Sequence, residues 1–417
     1  MQVLSTPRLS VNGERLNASI DRLARIGKQP NGDICRLAFT PEDLQARYLV
    51  QQWMVEAGMT VRTDAAGNLI GRYAGTVEGA PALATGSHID TVPSGGCYDG
   101  VLGVLAGIEV VRSLRDSNRR LKHPLEVIVF TDEESSMIGG QAIAGTVLLN
   151  EPERYQPKVG QPIESCLEAI GGNWDELPSA RRSRKDMVAF VELHVEQGAV
   201  LEHTQTEIGV VQGVVGMLRQ LITIEGQANH AGTTPMDMRQ DALIAAAKVI
   251  LAVQQIALSQ PSQPVATVGY LTVAPNAVNI VPGQVELSVD MRDLSQDCLD
   301  SMMSRLMRSL DAIATETHTT INLTPVLCVE PTPAAPQVQE TISQVCDTLG
   351  FSHRSMPSRA GHDSLEIGRI TDMGMIFVPS QEGLSHSGAE YTSPEQCTQG
   401  ANVLLHTLLK LDQAYPC

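Results

Sequence analysis

Short apolar runs alternate with amphipathic segments in the first half of the chain and again near its end. Each apolar run has hydrophobic side chains at nearly every position, as is typical of strands buried on both faces of a sheet. The predicted strands are Ala82–His88, 125–131, 189–195 and 373–378. The predicted helices are 14–27, 41–58, 101–114, 142–149 and 394–411. Strands that alternate with helices predict an α/β fold with helices flanking a sheet.

The middle of the chain follows a different pattern, in which apolar and polar positions alternate as in strands with one exposed face. Its strands are predicted at 218–226, 266–273, 284–290 and 320–327, and its helices at 241–258 and 294–316. We therefore expect a small α+β domain, residues 213–329, inserted into an α/β domain formed by residues 1–212 and 330–417. The glycine-containing stretch 209–216 and the proline-rich stretch 330–336 are the predicted linkers.

Composition and charge narrow the classes of partner. The 417 residues carry a formal net charge of −17, and only 3% of the side chains are aromatic. Nucleic acids and anionic membranes attract basic surfaces, so neither is an expected partner. The chain opens without the charged and apolar regions of a leader and has no run long enough to span a membrane, so we expect a cytoplasmic location. The eight cysteines include no CxxC pair, which is typical of free thiols.

Metal-binding residue types recur where the predicted strands end. They are His88, Asp99, Glu133, Glu134, His194 and His386. In an open α/β sheet, ligands bind beyond the carboxyl ends of the strands, so these side chains are expected to converge. Each of them alone is more commonly a structural or solvated residue, but their coincidence at successive strand ends predicts a metal centre. Asp90 lies two residues after His88, and we expect it to accept the second ring N–H of that histidine.

Seven segments of the chain combine these residues with glycines in motif-like runs. They read GSHIDTVPSGGCYDGVLGVLAG, VFTDEES, ELHVEQG, GQANHAGTTPMDMRQDA, NAVNIVPGQVELSVDMRD, AGHDS and GLSHSGAEYT. They resemble the motifs of the M20 metallopeptidase family, and specifically those of its amidase (hydantoinase/carbamoylase) branch, in the same order along nearly the whole chain. The resemblance implies a zinc-peptidase-like catalytic domain with a mixed sheet flanked by helices. It also implies that the inserted α+β domain serves as a lid and dimerisation domain.

The resemblance implies two divalent metal ions per subunit, Zn or Mn, or else Co or Ni. It makes Asp99 the ligand that both ions share. His88 and His194 would complete one site, and Glu134 and His386 the other. Nitrogen and carboxylate ligands suit all four metals. In the peptidase branch a carboxylate is usual at the position of His194, so a histidine there favours the amidase branch.

The resemblance also implies the catalytic groups. Glu133 matches the general base, which takes a proton from the attacking water and delivers it to the leaving nitrogen. His230 resembles the residue that polarises the scissile carbonyl, which in the family often reaches across a dimer interface. We therefore expect a homodimer. Without the family, His230 reads as a structural histidine in a glycine turn.

Four further residues match substrate contacts of the family. Asn279 and Arg292 match the positions that hold the substrate carboxylate, and the planar fork of an arginine suits that task. Gln197 matches a contact made by its amide, and Gly361 a contact made by its backbone. Read without the family, Arg292 is a partner in a structural salt bridge with the aspartates beside it.

These residues predict a metal-dependent amidohydrolase of non-peptide C–N bonds. The expected reaction cleaves the ureido bond of an N-carbamoyl-L-amino acid to give the amino acid, carbon dioxide and ammonia. Allantoate and ureidoglycolate are the alternative substrates, because both combine a ureido group with a carboxylate. Two other readings stay open, namely an aminoacylase or peptidase on the same scaffold and a non-catalytic metal or ligand carrier.

Overall fold

The computed structural model describes residues 9–417, which divide into two compact units. Unit 1 consists of the described chain up to Gly213 together with Pro333–Cys417, and unit 2 is Val214–Thr332. The boundaries expected from the sequence were 212/213 and 329/330. Each unit has its own apolar core. In the described residues, no helix is both long enough and apolar enough to cross a membrane.

The first segment of unit 1 alternates strands and helices. Its strands are β1 (Thr60–Thr63), β2 (Leu69–Tyr73), β3 (Ala82–His88), β4 (Leu125–Phe130), β5 (Met187–Val195) and β6 (Ile208–Val214). Its helices are α1 (Gly13–Leu23), α2 (Pro41–Glu56), α3 (Val101–Asp116), α4 (Ile138–Ala144), α5 (Ile163–Ala169) and α6 (Val200–His203). This alternation confirms the α/β prediction.

Unit 2 and the second segment of unit 1 follow. The strands of unit 2 are β7 (Gly216–Glu225), β8 (Asn229–His230), β9 (Val265–Ala274), β10 (Ile280–Val281), β11 (Gln284–Asp293) and β12 (Thr320–Val329), and its helices are α7 (Ala242–Leu258) and α8 (Gln296–Thr317). The chain then forms β13 (Thr332–Pro333), α9 (Pro336–Leu349), β14 (His353–Ser358), α10 (Asp363–Ile367), β15 (Asp372–Val378) and α11 (Pro394–Ala414).

The sheet of unit 1 is mixed, and its centre is parallel. The strand order is β1-β2-β4-β3-β5-β15-β6-β13, with β14 paired to β6. The pairs β4–β3, β3–β5 and β5–β15 are parallel, whereas β2–β4 and β15–β6 are antiparallel. The register places His88 opposite Phe130 and His194 opposite Phe377. The carboxyl ends of four neighbouring strands therefore lie at the same edge of the sheet.

Local sequence explains where helices begin and end. Helix α2 begins as the sequence predicts, because the side chain of Thr40 accepts a hydrogen bond from Asp43 N and Pro41 occupies the first turn. The helix predicted at 142–149 is wrong in position, since α4 is Ile138–Ala144. Gly145 adopts the left-handed conformation with φ of +78° and ends that helix at Ala144, five residues earlier than predicted.

Unit 2 is a four-stranded antiparallel sheet with two helices. The strand order is β12-β7-β11-β9, and β8 pairs with β10 in a separate two-stranded ribbon. Alternate side chains of β11 are buried, among them Leu287, Val289 and Met291, and they share one core with side chains of α7 and α8. The helices cover one face of the sheet, as the alternating pattern predicts.

Candidate metal centre and active site

Two parallel strands and one loop bring together the first group of metal-binding side chains. His88 is the last residue of β3, and His194 lies next to the end of β5. Their Nε2 atoms lie 3.7 Å and 3.1 Å from Oδ1 of Asp99, which precedes α3. All three side chains are buried, and one ligand atom from each lies within 4.8 Å of the others. Such a group has the donor types and spacing of a metal site.

A second group shares Asp99 with the first. His386 Nε2 lies 3.4 Å from Asp99 Oδ2 and 3.4 Å from Glu134 Oε1. Glu134 follows β4, and His386 lies on the loop after β15, half exposed. Each oxygen of Asp99 thus faces a different group. A carboxylate placed in this way has the geometry of a ligand that two cations can share.

The buried histidines have their ring orientation fixed by backbone carbonyls. Nδ1 of His88 lies 3.0 Å from the carbonyl of Asp90, and Nδ1 of His194 lies 2.8 Å from the carbonyl of Val195. A carbonyl only accepts, so each Nδ1 carries the proton and each Nε2 turns toward Asp99. The expectation for the Asp90 carboxylate is wrong, because it lies 3.7 Å from His88 Nδ1 and instead accepts from Glu134 N at 3.2 Å.

The charge of Asp99 and the charges of the histidines around it depend strongly on one another. Burial alone would raise the pKa of Asp99, but hydrogen bonds from His194, His386 and His88 outweigh it and hold the pKa well below its usual value. Burial alone would lower the pKa of His194, and Asp99 reverses this and raises it to about 9. The carboxylate therefore needs positive charge beside it. Protonated histidines or divalent cations can supply that charge, and divalent cations suit these nitrogen and oxygen donors.

Glu133 lies beside the two groups, and its side chain is nearly buried. Its Oε2 lies 3.6 Å from His88 Nε2. Burial raises the pKa of Glu133 to about 8, and the neighbouring Glu134 adds to the rise. The two glutamates lie in the turn that follows β4, where Asp132 has a φ of +54° and accepts hydrogen bonds from Ser136. Glu133 thus lies beside His88, whereas Glu134 lies beside His386, so Glu133 is available to act as a base.

The loop that carries Asp99 is held by Glu390, a residue that the sequence did not single out. Glu390 is buried, and its Oε2 accepts from the backbone N–H groups of Tyr98 at 2.9 Å and Asp99 at 3.2 Å. A Cβ at Gly96 would collide with the Glu390 side chain, so the loop needs glycine there. Burial raises the pKa of Glu390 to about 7, with Asp99 adding to the rise. The GLSHSGAEYT segment contains this glutamate, and the resemblance was the one available signal for it.

Gln197 and Ser385 contact the shared carboxylate directly. The Gln197 amide donates to Asp99 Oδ2 at 2.9 Å, and the Ser385 hydroxyl donates to the same oxygen at 3.1 Å. The amide predicted to contact substrate thus donates to Asp99 in this structure. Gly100 has a φ of +66°, and a Cβ there would lie 2.5 Å from the His88 ring. Glycine at this position lets the loop approach that histidine closely.

A buried layer lies behind the first group, and the sequence did not predict it. The ring of His362 packs 4.4 Å from the ring of His194, centroid to centroid. Glu192 accepts hydrogen bonds from Ser87 Oγ at 2.7 Å and Ser364 Oγ at 2.6 Å. Burial, aided by the charge of His194, holds the pKa of His362 well below its usual value. The AGHDS motif was the signal for this layer. Gly361, predicted as a substrate contact, is exposed just before it.

The other predicted substrate residues belong to unit 2. His230 and Asn279 are exposed; His230 is in β8, and Asn279 directly precedes β10 and accepts from Ala231 N at 2.9 Å. His230 Nδ1 accepts from the backbone of Gly232 at 3.0 Å, so Nε2 carries the proton and faces outward as a donor.

Arg292 lies at the opposite end of β11 from the β8–β10 ribbon. It is eight residues beyond Gln284, where β11 begins, or about 26 Å of extended strand. Its Nε donates to Asp290 Oδ1 at 2.8 Å, and Arg219 donates to Oδ2 of the same aspartate. Burial alone would raise the pKa of Asp290, but these two arginines hold it below its usual value. The salt bridge that the sequence suggested for Arg292 is therefore present.

Comparison with known proteins accounts for this combination of residues. Peptidase family M20/M25/M40 matches residues 84–410. The chain belongs to this family. It is 41% identical to the N-carbamoyl-L-amino acid amidohydrolase of Geobacillus stearothermophilus over 97% of this chain and 99% of that protein. It is 36% identical to the ureidoglycolate hydrolase of Arabidopsis thaliana over 97% of this chain and 87% of that protein.

Solved structures place the M20 chain in one branch of the family. A Burkholderia multivorans amidase of the hydantoinase/carbamoylase family has a TM-score of 0.91 and 36% identity, covering 99% of this chain and 100% of that one. The M20 chain is therefore an amidohydrolase of the carbamoylase branch, which acts on C–N bonds other than peptide bonds. Metal dependence belongs to the family, and the buried histidine, aspartate and glutamate groups are its candidate metal sites.

Proposed function

We propose that this amidohydrolase cleaves the ureido C–N bond of an N-carbamoyl-L-amino acid. The observation that carries the proposal is the position of Glu133, a nearly buried carboxyl 3.6 Å from His88 and adjacent in sequence to Glu134. It supplies a base beside two groups of metal-binding side chains that share Asp99. The carbamoylase from Geobacillus stearothermophilus, at 41% identity, supports the choice of substrate.

We assign His88, Asp99 and His194 to one metal ion and Asp99, Glu134 and His386 to a second. When bound, the ions would polarise the ureido carbonyl and acidify the attacking water. Glu133 accepts the proton of that water and delivers it to the leaving nitrogen. Burial raises the pKa of Glu133 to about 8, and bound cations would lower it, which would favour the carboxylate that acts as the base. The released carbamate then decays to carbon dioxide and ammonia.

The substrate carboxylate needs a cationic partner, and Arg292 provides a planar guanidinium for it. His230 presents an exposed Nε2–H donor suited to the oxygen of the scissile carbonyl. Asn279 directly precedes β10, the strand paired with that of His230, at the far end of β11 from Arg292. The strand from Gln284 to Arg292 alone is about 26 Å long, which exceeds the length of a small substrate. We therefore assign His230 and Asn279 to one copy of the chain and Arg292 to the other, so that the working unit is a homodimer.

An apolar surface of unit 2 supports a second copy as partner. Helix α7 exposes Ile244, Leu251 and Leu258, which are 50%, 63% and 75% accessible and recur every seven residues. Apolar side chains at this spacing form one stripe along a helix and pack against another helix. The opposite side of α7 already packs in the core of unit 2. We assign unit 2 the role of dimerisation domain on this basis, and we propose its role as a lid from the family resemblance alone.

Parallel assays of ammonia release distinguish the candidate substrates. Metal-loaded protein is given N-carbamoyl amino acids, allantoate, ureidoglycolate and N-acetyl amino acids under the same conditions. The proposal expects the highest kcat/KM for an N-carbamoyl-L-amino acid. A higher value for allantoate or ureidoglycolate selects the alternative substrate, and cleavage of N-acetyl amino acids alone selects the aminoacylase reading. Metal binding without turnover of any of these compounds selects the carrier reading.

A further inference from the structure

Four arginine side chains surround one cavity between helices of unit 1, in a chain whose net charge is −17. The cavity has a volume of about 400 Å³, and α1, α2 and α3 line it. Its arginines are Arg15, Arg22, Arg112 and Arg115. None of the residues that line it belongs to the candidate active site.

Two of the four arginines are held by the protein itself. Arg15 makes two hydrogen bonds to the buried carboxylate of Glu109, at 2.8 Å and 2.7 Å, and an ion pair with Asp116 at 2.9 Å. Arg115 donates to the backbone carbonyl of Glu56. These contacts occupy most of the donors of Arg15, whereas Arg115 is anchored through one of its five N–H donors.

The other two arginines keep free donors. Arg112 is only 13% accessible, yet its contacts are one hydrogen bond to Ser19 at 3.3 Å and one ion contact with Glu109 at 3.7 Å, both through Nη1. Within residues 9–417, Nε and Nη2 of Arg112 have no protein partner. The guanidinium of Arg22 stacks on Trp53 at 5.6 Å and makes no hydrogen bond or ion pair with residues 9–417. Burial lowers the pKa of Arg112, and Glu109 only partly offsets this.

The charges around the cavity leave an excess of one positive charge. Four arginines face the carboxylates of Glu56, Asp116 and Glu109, so the sum is four minus three. A guanidinium binds oxyanions through two parallel N–H donors, which Arg112 has available. Cavities of about 300–1,000 Å³ accommodate small molecules, so there is room for more than one ion.

We propose that this cavity binds a phosphate-type oxyanion, free or as the monoester of a small molecule, through Arg22 and Arg112. Arg22, exposed at the rim, closes over the ligand, and Arg112 holds it from the wall. The stacking of Arg22 on Trp53 keeps its guanidinium plane oriented for this contact. The proposal concerns residues outside the active site and does not rest on the function proposed above.

Isothermal titration calorimetry of the metal-loaded protein tests this site with two probes, inorganic phosphate and glycerol 3-phosphate. Ionic strength is held constant because exposed charges are screened by salt. The test variants are Arg22→Gln and Arg22→Gln/Arg112→Gln. Arg25→Gln is the matched control, since it removes an exposed arginine two residues beyond α1 that does not line the cavity. Circular dichroism and turnover confirm that each variant is folded.

We expect the wild-type protein and Arg25→Gln to bind phosphate with the same affinity. Arg22→Gln, which alters only an exposed side chain, should weaken binding about tenfold, and the double variant should weaken it further. Tighter binding of glycerol 3-phosphate identifies an ester site, and tighter binding of phosphate identifies a site for the free ion. Absence of binding by the wild type overturns the proposal. Equal affinity in all variants, or an equal loss in Arg25→Gln, also overturns it.

Discussion

His194 Nε2 lies 3.1 Å from Oδ1 of Asp99, while the other oxygen of the same carboxylate lies 3.4 Å from His386 Nε2. One buried side chain thus joins two groups of metal-binding residues that come from distant parts of the sequence. Four further contacts hold Asp99 in place. The side chains of Gln197, Ser385 and His88 contact its carboxylate, and its backbone N–H donates to Glu390.

Substitution of Glu133 and of Glu134 should impair the enzyme in different ways. Glu133→Gln removes the base and leaves the ligands, so kcat should fall by about 10²–10⁴-fold while metal content stays at the wild-type value. Glu134→Gln removes a ligand oxygen, so metal content should fall with activity. Elemental analysis and steady-state kinetics on the two variants measure both quantities. Loss of metal in Glu133→Gln would contradict the assigned roles.

Glu390→Gln should weaken the centre without removing a ligand. The amide keeps one acceptor but loses the charge that receives the N–H groups of Tyr98 and Asp99, so the loop is held less firmly. We expect a loss of about 10–100-fold in metal affinity or kcat. Glu395→Gln, an exposed acid in the first turn of α11, is the control and should behave as the wild type. Equal behaviour of both variants would show that Glu390 does not position Asp99.

Metal affinity should increase with pH up to about 9. In the metal-free protein, Asp99 outweighs burial and raises the pKa of His194 to about 9, so this ring holds a proton at neutral pH. A metal ion must displace that proton, and acid favours the protonated form. The apparent dissociation constant should therefore fall by about tenfold per pH unit for each proton displaced between pH 6 and 9, then level off. Competition with a chelator measures it, and a constant affinity over this range would refute the explanation.

Two inactive variants should restore activity when mixed, if the active site spans two copies. His230→Ala keeps its metal ligands, and Asp99→Asn keeps His230. A mixed dimer then contains one intact site and one doubly defective site. After dissociation and reassembly in equal amounts, activity should reach roughly a quarter of the wild-type value. The control is His230→Ala taken alone through the same dissociation and reassembly. No recovery despite mixed dimers, verified by differential tagging, would place His230 and the metal ligands of one site in a single copy.

The strand pattern predicted the part of the site that depends on the sheet. His88 and His194 lie at the ends of adjacent parallel strands. The register of a parallel sheet brings such ends together independently of the loop conformations. The apolar runs identified β3, β4, β5 and β15, although β5 begins two residues before the predicted start. The pairing of ligands around Asp99 came from the family resemblance and not from the strand pattern.

The hydrophobic pattern of the sequence could not predict the conformations and contacts of the loops. His386 has a φ of +52° and Gln197 a φ of +57°, conformations that tertiary contacts impose on non-glycine residues. Glu390 acts through backbone N–H groups nearly 300 residues away, a contact that leaves no trace in local spacing. The prediction for Asp90 was wrong for a related reason. The ring N–H of His88 donates to the backbone carbonyl of Asp90 and not to its carboxylate.

In the function that we propose, two cations on ligands shared through Asp99 make this chain a ureido hydrolase. The most direct test is to strip the protein of metal, add Mn or Zn in steps, and record ammonia release from an N-carbamoyl-L-amino acid at each step. The metal-stripped protein should be inactive, and activity should rise until about two equivalents per subunit are bound. Asp99→Asn should stay inactive at every metal concentration. Full activity in the stripped protein, or in Asp99→Asn, would contradict the claim.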